Sequence, residues 1–331
     1  MTFAQQMKAK AKSLQKRVVL AEGTELRVIA AARKILDEQL AKEVYVLGPM
    51  NEITTLASQE NISLEGVSLV DPTTDSKRSA YAAEYYELRK HKGMSEQEAA
   101  DLIVDPLRYG AMMVRLNDAD ALVAGAQRTT GEVLVAAFHI IKTKEGIKSA
   151  SSCMILATNN KEMGADGSFI FSDCATIPEP TSEQLAEIAE ASAESCRTYL
   201  GVEPIIALLS YSTKGSARGP MVDKVTEALK ILQEKRPDLQ VDGELQLDAA
   251  IVESVGQSKA PGSTVAGKAN VLIFPDLQSG NIGYKLVQRM ANAEAFGPMM
   301  QGFAKPVSDL SRGCSTEDIV VTTAVTLSQL A

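Results

Sequence analysis

The chain has no tryptophan, two histidines, four cysteines and only 5% aromatic residues in 331 positions. Each scarcity argues against a class of chemistry. His91 and His139 stand far apart, nothing reads H-E-x-x-H, and Cys153, Cys174, Cys196 and Cys314 form no C-x-x-C pair. Neither a metal centre nor a dithiol redox site is indicated. A Ser–His hydrolase would need a G-x-S-x-G elbow, and none is present. No apolar run approaches the ~20 residues that span a bilayer. The opening MTFAQQMKAKAKSLQK places Phe3, Met7 and Leu14 among lysines, which is an amphipathic helix without the apolar core of a signal peptide. The net charge of −8 gives no broad attraction to nucleic acid or to an anionic membrane. The expectation is a cytoplasmic protein with no metal and no nucleic-acid or membrane partner, in which any anionic ligand is met by local cations.

What is present is aliphatic and regular: 45% apolar and 23% charged residues, and enough length for about two domains. Short β-branched runs alternate with helical patterns. RVVLAEG (17–23) precedes a helix with Val28, Ile29, Ala32, Ile35, Leu36 and Leu40 on one face, and EVYVLG (43–48) returns as a strand. This βαβ order predicts an α/β fold with parallel sheet covered by helices on both faces. Gly93 reads as a helix stop, and Ser95 to Glu98 as a capping box. After TKEGIKSASS the character changes to a strand pair, CMILAT and SFIFSD, then a long capped helix and a second βαβ series, which puts a domain boundary near 147.

Three strand-terminal loops carry the polar chemistry, with a fourth polar stretch before the last helix. ALVAGA runs into QRTTGEV, SYSTKGSARGP (210–220) follows IIALLS, SGNIGYKLVQRM (279–290) follows NVLIFPD, and DLSRGCSTEDIV (309–320) precedes the last helix. Basic, hydroxyl-bearing turns at the carboxyl ends of parallel strands in an acidic protein point to an anionic ligand. GSTVAGKA (262–269) nearly spells a phosphate-binding P-loop, but Ala269 lacks the metal-binding hydroxyl and the segment leads into a strand, so that reading is rejected. Within DLSRGCSTEDIV, Ser315 and Asp318 also have the spacing of a helix-capping box, so Asp318 reads as cap or as catalyst.

ELRKHKG, SYSTKGSA, DGELQLDAAIV, KAPGSTVAGKANVLIFPDLQSGNIGYKLVQR and KPVSDLSRGCSTEDIV together resemble the phosphate acetyltransferases (phosphotransacetylases) of the phosphate acetyl/butyryltransferase family, from the first strand to the last helix. The resemblance implies two α/β/α domains of the isocitrate/isopropylmalate dehydrogenase type around an active-site cleft. It places residues 1–147 plus 305–331 in one domain and 148–304 in the other, and implies a homodimer. The implied reaction is acetyl-CoA plus phosphate to acetyl phosphate plus coenzyme A, with coenzyme A as substrate and no cofactor. By the same resemblance Asp318 is the base, Ser311 and Arg312 are its catalytic neighbours, and Thr129 and Thr130 are phosphate donors. Arg89, Arg128, Arg289, Asn281, Tyr284, Ser212 and Lys214 complete the expected contacts to acetyl phosphate and coenzyme A.

The implied chemistry suits these side chains. A thiol with a pKa near ~8.5 is a modest nucleophile at neutral pH, and a carboxylate within reach can take its proton. A guanidinium fits the phosphate and the developing oxyanion. Cys314 beside the base is not needed as a nucleophile, because direct transfer requires no acyl-enzyme. The family pattern is broken at Val135, where an arginine is usual, and at Arg128, where a histidine is usual; Arg128 is the expected compensating charge. Two alternatives are an acyltransferase for butyryl or propionyl groups and a non-catalytic acetyl-CoA-binding domain, against which intact Ser311, Arg312 and Asp318 argue.

Overall fold

The computed structural model describes residues 2–331. The chain divides into two compact units, Met1–Glu145 with Phe303–Ala331, and Gly146–Gly302.

The first unit begins with α1 (Phe3–Leu14), started by a reciprocal Thr2/Gln5 capping box and burying Phe3, Met7 and Ala11 at a spacing of four. Then follow β1 (Arg17–Leu20), α2 (Leu26–Asp37), β2 (Glu43–Leu47), α3 (Met50–Gln59) and β3 (Val67–Val70). After α4 (Arg78–Arg89) a single 3-10 turn ends at Gly93 with φ 87°, a left-handed stop that glycine adopts without strain. Next come α5 (Glu96–Leu102), capped by the Ser95/Glu98 box, and α6 (Pro106–Arg115), which has proline at its first position and Asp105 as cap. β4 (Ala121–Ala124) leads to α7 (Thr130–Ala136), which runs directly into a π-helical turn over Ala137–Ile141.

In the second unit β5 (Ser151–Ala157) and β6 (Ser168–Ser172) form the expected antiparallel pair, and α8 (Ser182–Leu200) lies between a Thr181 cap and a left-handed Gly201. β7 (Ile205–Leu209), α9 (Pro220–Lys235), β8 (Gln240–Leu245), α10 (Leu247–Ile251), α11 (Glu253–Lys259), β9 (Val271–Ile273), α12 (Leu277–Met290) and β10 (Glu294–Gln301) complete it. The strand order is β10-β5-β6-β9-β7-β8, antiparallel at β10/β5 and β5/β6 and parallel elsewhere. The chain then returns to the first unit as β11 (Val307–Asp309) and α13 (Thr316–Ser328).

The first unit's sheet has the order β3-β2-β1-β4-β11 and is parallel throughout. β4 is buried at every position, as a strand covered on both faces must be. Successive crossovers carry the chain from β1 outward to β3, whereas β4 joins the other side of β1. The loops leaving β1 and β4 therefore diverge at a switch point, the place where open parallel sheets leave room for a ligand. β11 adds a third loop beside them. α13 packs on α1, α2, β4 and β11, and every residue from Ile319 to Ser328 is buried.

Gly280 in α12 tests how tightly the second unit is packed. A β-carbon there would lie 2.2 Å from Asp173 O. An alanine in a helix interior ordinarily gains about 1 kcal/mol over glycine, but forcing a methyl group into occupied backbone costs about 1–3 kcal/mol or more. The clash wins: Gly280→Ala should lower the stability measured by urea unfolding, and a gain would show that the contact is loose.

Candidate active site

The switch point is organised around a buried acid. Glu22, in the loop after β1, is 5% exposed, and its carboxylate accepts four successive backbone N–H groups of the loop after β4. Gly125 N and Ala126 N reach Oε2 at 3.0 and 2.8 Å, and Gln127 N and Arg128 N reach Oε1 at 3.0 and 2.8 Å. An exposed loop of this kind would cradle a phosphate with those same donors. Here an internal carboxylate already holds them, so a ligand must be met by side chains.

Arg27 ties the third loop to the other two. Its Nε donates to Glu25 Oε1 at 2.9 Å, Nη2 to Ala126 O at 3.2 Å, and Nη1 to Arg312 O and Cys314 O at 2.9 and 2.6 Å. Ser311 O accepts from Cys314 N at 2.9 Å, and Ser311 Oγ from Gly313 N at 3.3 Å. The loop is thus bonded through its backbone while Ser311 and Arg312 are exposed, and the Arg312 guanidinium has no partner among the described residues. Cys314 is buried, and burial pushes its thiol up despite the pull of Arg27.

Asp318 is a cap. Its Oδ2 accepts from Ser315 N and Oγ at 2.8 and 2.9 Å, and its own N–H donates to Ser315 Oγ at 3.1 Å. Only one carboxylate oxygen is used. Oδ1 has no partner among the described residues and the residue is exposed, so the capping box leaves a basic oxygen open.

The hydroxyl turn is divided between two tasks. Thr129 caps α7 reciprocally with Glu132, whose carboxyl is drawn down to about 2 by the Thr129 N–H and hydroxyl and then by Arg128. Thr130, half-buried, donates from Oγ1 to Asp309 Oδ2 at 2.6 Å. Asp309 is 2% exposed, and its Oδ1 has no hydrogen-bond partner. Burial pushes its carboxyl up to about 6; the Thr130 hydroxyl opposes this and the Glu22 charge adds to it. Gly125, with φ 106°, passes so close that a β-carbon would sit 2.3 Å from Asp309 Oδ1.

Arg128 does not stand free as the compensating cation. It bridges Asp105 at 2.6 Å and Glu132 at 3.0 Å, and Asp105 also holds Arg108 at 3.0 Å. These groups line a cavity of about 370 Å³ together with Val135, which is exposed. Arg89, at the end of α4, has a buried Nε with no partner, and its charge helps lower His139 and Lys142 after their burial.

The candidates in the second unit are mostly committed internally. Ser212 is fully buried and donates to Glu244 Oε1 at 2.7 Å, and Lys214 is paired with Asp242 and bonded to Gly243 O at 3.0 Å. The expected open anion loop is instead closed on its own acids. Asn281 donates to Cys174 O at 3.1 Å, and Tyr284 packs against the core cluster around Phe274. Arg289 is exposed on α12. Glu22, Arg27 and Asp309 escaped the sequence reading. The only local signal for the two acids is a carboxylate at or just past the end of a buried strand, in VVLAEG and PVSDL, and Arg27 has none.

A sequence profile of the phosphate acetyl/butaryl transferase family matches residues 2–327. The chain belongs to that family. It is 52% identical to a phosphate acetyltransferase of Treponema pallidum (strain Nichols) over 332 aligned positions, covering 99% of each chain. A phosphotransacetylase from Streptococcus pyogenes superposes with a TM-score of 0.94 at 38% identity over 99% of each chain. A 4-hydroxythreonine-4-phosphate dehydrogenase from Klebsiella pneumoniae matches at TM-score 0.56 and 11% identity, over 96% of this chain and 100% of that one, and shows the dehydrogenase-like fold alone. The expected α/β fold is thus borne out, and the loop from Ser311 to Asp318 is anchored through its backbone by Arg27.

The buried acid has a thermodynamic signature. Below pH ~4 Asp309 is protonated in both folded and unfolded chains, since a free aspartate titrates near ~3.9. As pH rises to 6 the unfolded state loses its proton first, so stability falls, and above 6 the loss is constant at about 3 kcal/mol. Asp309→Asn removes this titration. Urea unfolding of both proteins should show the variant gaining about 2–3 kcal/mol on wild type between pH 4 and pH 7.5, and a pH-independent difference would place the Asp309 carboxyl in an ordinary environment.

Proposed function

We propose that this chain is a phosphate acetyltransferase, interconverting acetyl phosphate plus coenzyme A with acetyl-CoA plus phosphate, the activity for which the Treponema pallidum relative is named. One observation carries the mechanism. On a loop bonded through its backbone to its neighbours, the uncommitted charged groups are the Arg312 guanidinium and Asp318 Oδ1.

Asp318 Oδ1 takes the thiol proton of coenzyme A as sulfur attacks the acetyl carbon. The C–S bond forms, negative charge collects on the carbonyl oxygen, and the C–O bond to phosphate then breaks with its electron pair leaving on phosphate. Arg312 holds the phosphate and the developing oxyanion through parallel N–H donors. Ser311 supplies a hydroxyl to the same centre. Thr130 offers a hydroxyl to the phosphoryl group and Arg89 a charge to either substrate, while Thr129 and Arg128 shape the wall. The proton on Asp318 passes to solvent. Burial of Cys314 as a thiol supports direct transfer over an acyl-cysteine. Arg289 and Tyr284 are proposed as further substrate contacts on likeness to the family alone. Ser212, Lys214 and Asn281 order their own loops.

We also propose that the protein is a cytoplasmic homodimer. No helix among the described residues is long and apolar enough to cross a membrane. Ile282, Leu286 and Met290 form an exposed apolar stripe along α12, at 57%, 50% and 79% exposure, and a second copy is the occupant that suits it. Leu286→Glu should reduce the mass measured by light scattering from two chains to one; a wild-type monomer would sink the assembly.

Ultraviolet absorbance of the new thioester bond tests the activity directly: acetyl phosphate with coenzyme A should react, and faster than butyryl phosphate. Asp318→Asn separates base from cap, because the amide oxygen can still accept from Ser315. Turnover should fall at least ~100-fold, about what a positioned base contributes, with the melting temperature unchanged. Near-normal turnover with a lower melting temperature would make Asp318 a cap and nothing more.

A further inference from the structure

Thr130 and Asp309 are joined by a bond that points the wrong way for binding an anion. The Thr130 hydroxyl has one proton, and it is directed inward to Asp309 Oδ2 at 2.6 Å. A phosphoryl oxygen arriving at this half-buried threonine would meet lone pairs instead of a donor. Asp309 behind it is 2% exposed and its Oδ1 has no hydrogen-bond partner, while the Leu310 N–H, bonded to Ala124 O at 2.7 Å, gives the carboxylate only a secondary stabilisation that burial outweighs. The charge on this carboxylate is therefore poorly compensated.

On the reading that the substrate is an acyl phosphate, we propose that Asp309 is a proton-holding positioning residue. When an anionic phosphoryl group lies at Thr130, Asp309 Oδ2 carries a proton and donates it to Thr130 Oγ1, and the Thr130 O–H turns outward to donate to the anion. One proton enters from solvent as the anion binds: an O–H bond forms on Asp309, the threonine keeps its own proton, the hydrogen bond between the two side chains reverses, and a new one forms from Thr130 Oγ1 to the anion.

The surroundings favour the reversal. Glu22 is the charged group whose field reaches Asp309, and its like charge opposes ionisation of the aspartate. α13, packed on β11, is uncharged from Ile319 to Ser328, and β4 is uncharged throughout. On α7 the Glu132 carboxylate is occupied by Thr129 and Arg128. With a folded pKa of about 6, the group gains a proton readily when a second anion approaches. Binding then takes up a proton, so affinity must fall as pH rises.

The experiment is the pH profile of KM for acetyl phosphate, whose own ionisation does not change over the window used. Wild type should show KM rising at least threefold from pH 6 to pH 8.5. Asp309→Asn, whose amide can donate to Thr130 Oγ1 at any pH, should flatten the profile to within twofold. Thr130→Val should raise KM about tenfold at pH 6 and also be flat, while Thr130→Ser keeps the slope. If Asp309→Asn fails to fold, the two threonine variants carry the decision. A slope that persists in Asp309→Asn or Thr130→Val, a slope lost in Thr130→Ser, or a flat wild-type profile overturns the proposal. Absence of any turnover by wild type would instead overturn the acyl-phosphate reading itself, a result distinct from an active enzyme whose KM ignores pH.

Discussion

The end of the first unit's sheet where the loops after β1, β4 and β11 emerge depends on one carboxylate. Glu22 receives four backbone N–H groups from a loop more than a hundred residues away in sequence, and each bond to a charged acceptor contributes about 1.5–3 kcal/mol. That offsets the cost of burying the charge. It also fixes the loop's curvature, which delivers Thr129 to the start of α7, Thr130 to Asp309, and the Ala126 carbonyl to Arg27. Arg27 passes the constraint on to the loop bearing Ser311 and Arg312. Two loops that share no sequence neighbourhood are thus held by two side chains of a third, residues 22–27.

The helices and most strands were legible because their signals are local: caps at Ser95, Thr181 and Ser315, a left-handed stop at Gly93, and apolar positions at helical spacing. β10 was not, since EAFGPMMQ holds Gly297 and Pro298 where a strand interior should have neither. The structure accommodates them with a register shift between Phe296 and Met299. β11 was too short, at Val307–Asp309, to show a period. At the site, side chains that face outward on hydroxyl-rich or basic loops could be read from sequence, and buried ones could not. Nothing in VVLAEG says that its acid will find four amides, and nothing in PVSDL says that its acid will lie against Gly125.

The reading of Asp318 as cap or catalyst turns on counting oxygens. A carboxylate has more acceptor capacity than a capping box consumes. Ser315 engages Oδ2, which leaves Oδ1 without a partner among the described residues. Ser212 shows the opposite outcome: a hydroxyl has one proton to give, Glu244 accepts it in the interior, and nothing remains for a ligand.

The return of β11 and α13 to the first unit after residue 302 has a consequence for biogenesis. The ribosome delivers Glu22, Arg27 and the Gly125–Thr130 loop early, but their partners on the last two elements emerge only after the whole second unit, roughly ten to thirty seconds later at ordinary elongation rates. Until then the faces of α1, α2, β4 and the sheet edge that α13 covers have nothing against them. A nascent chain stalled inside the second unit carries an exposed apolar groove that a chaperone can hold, and it cannot yet assemble the loop with Arg312 and Asp318. The topology therefore makes synthesis of β11 and α13 the event that closes the core and the loop from Ser311 to Asp318 together.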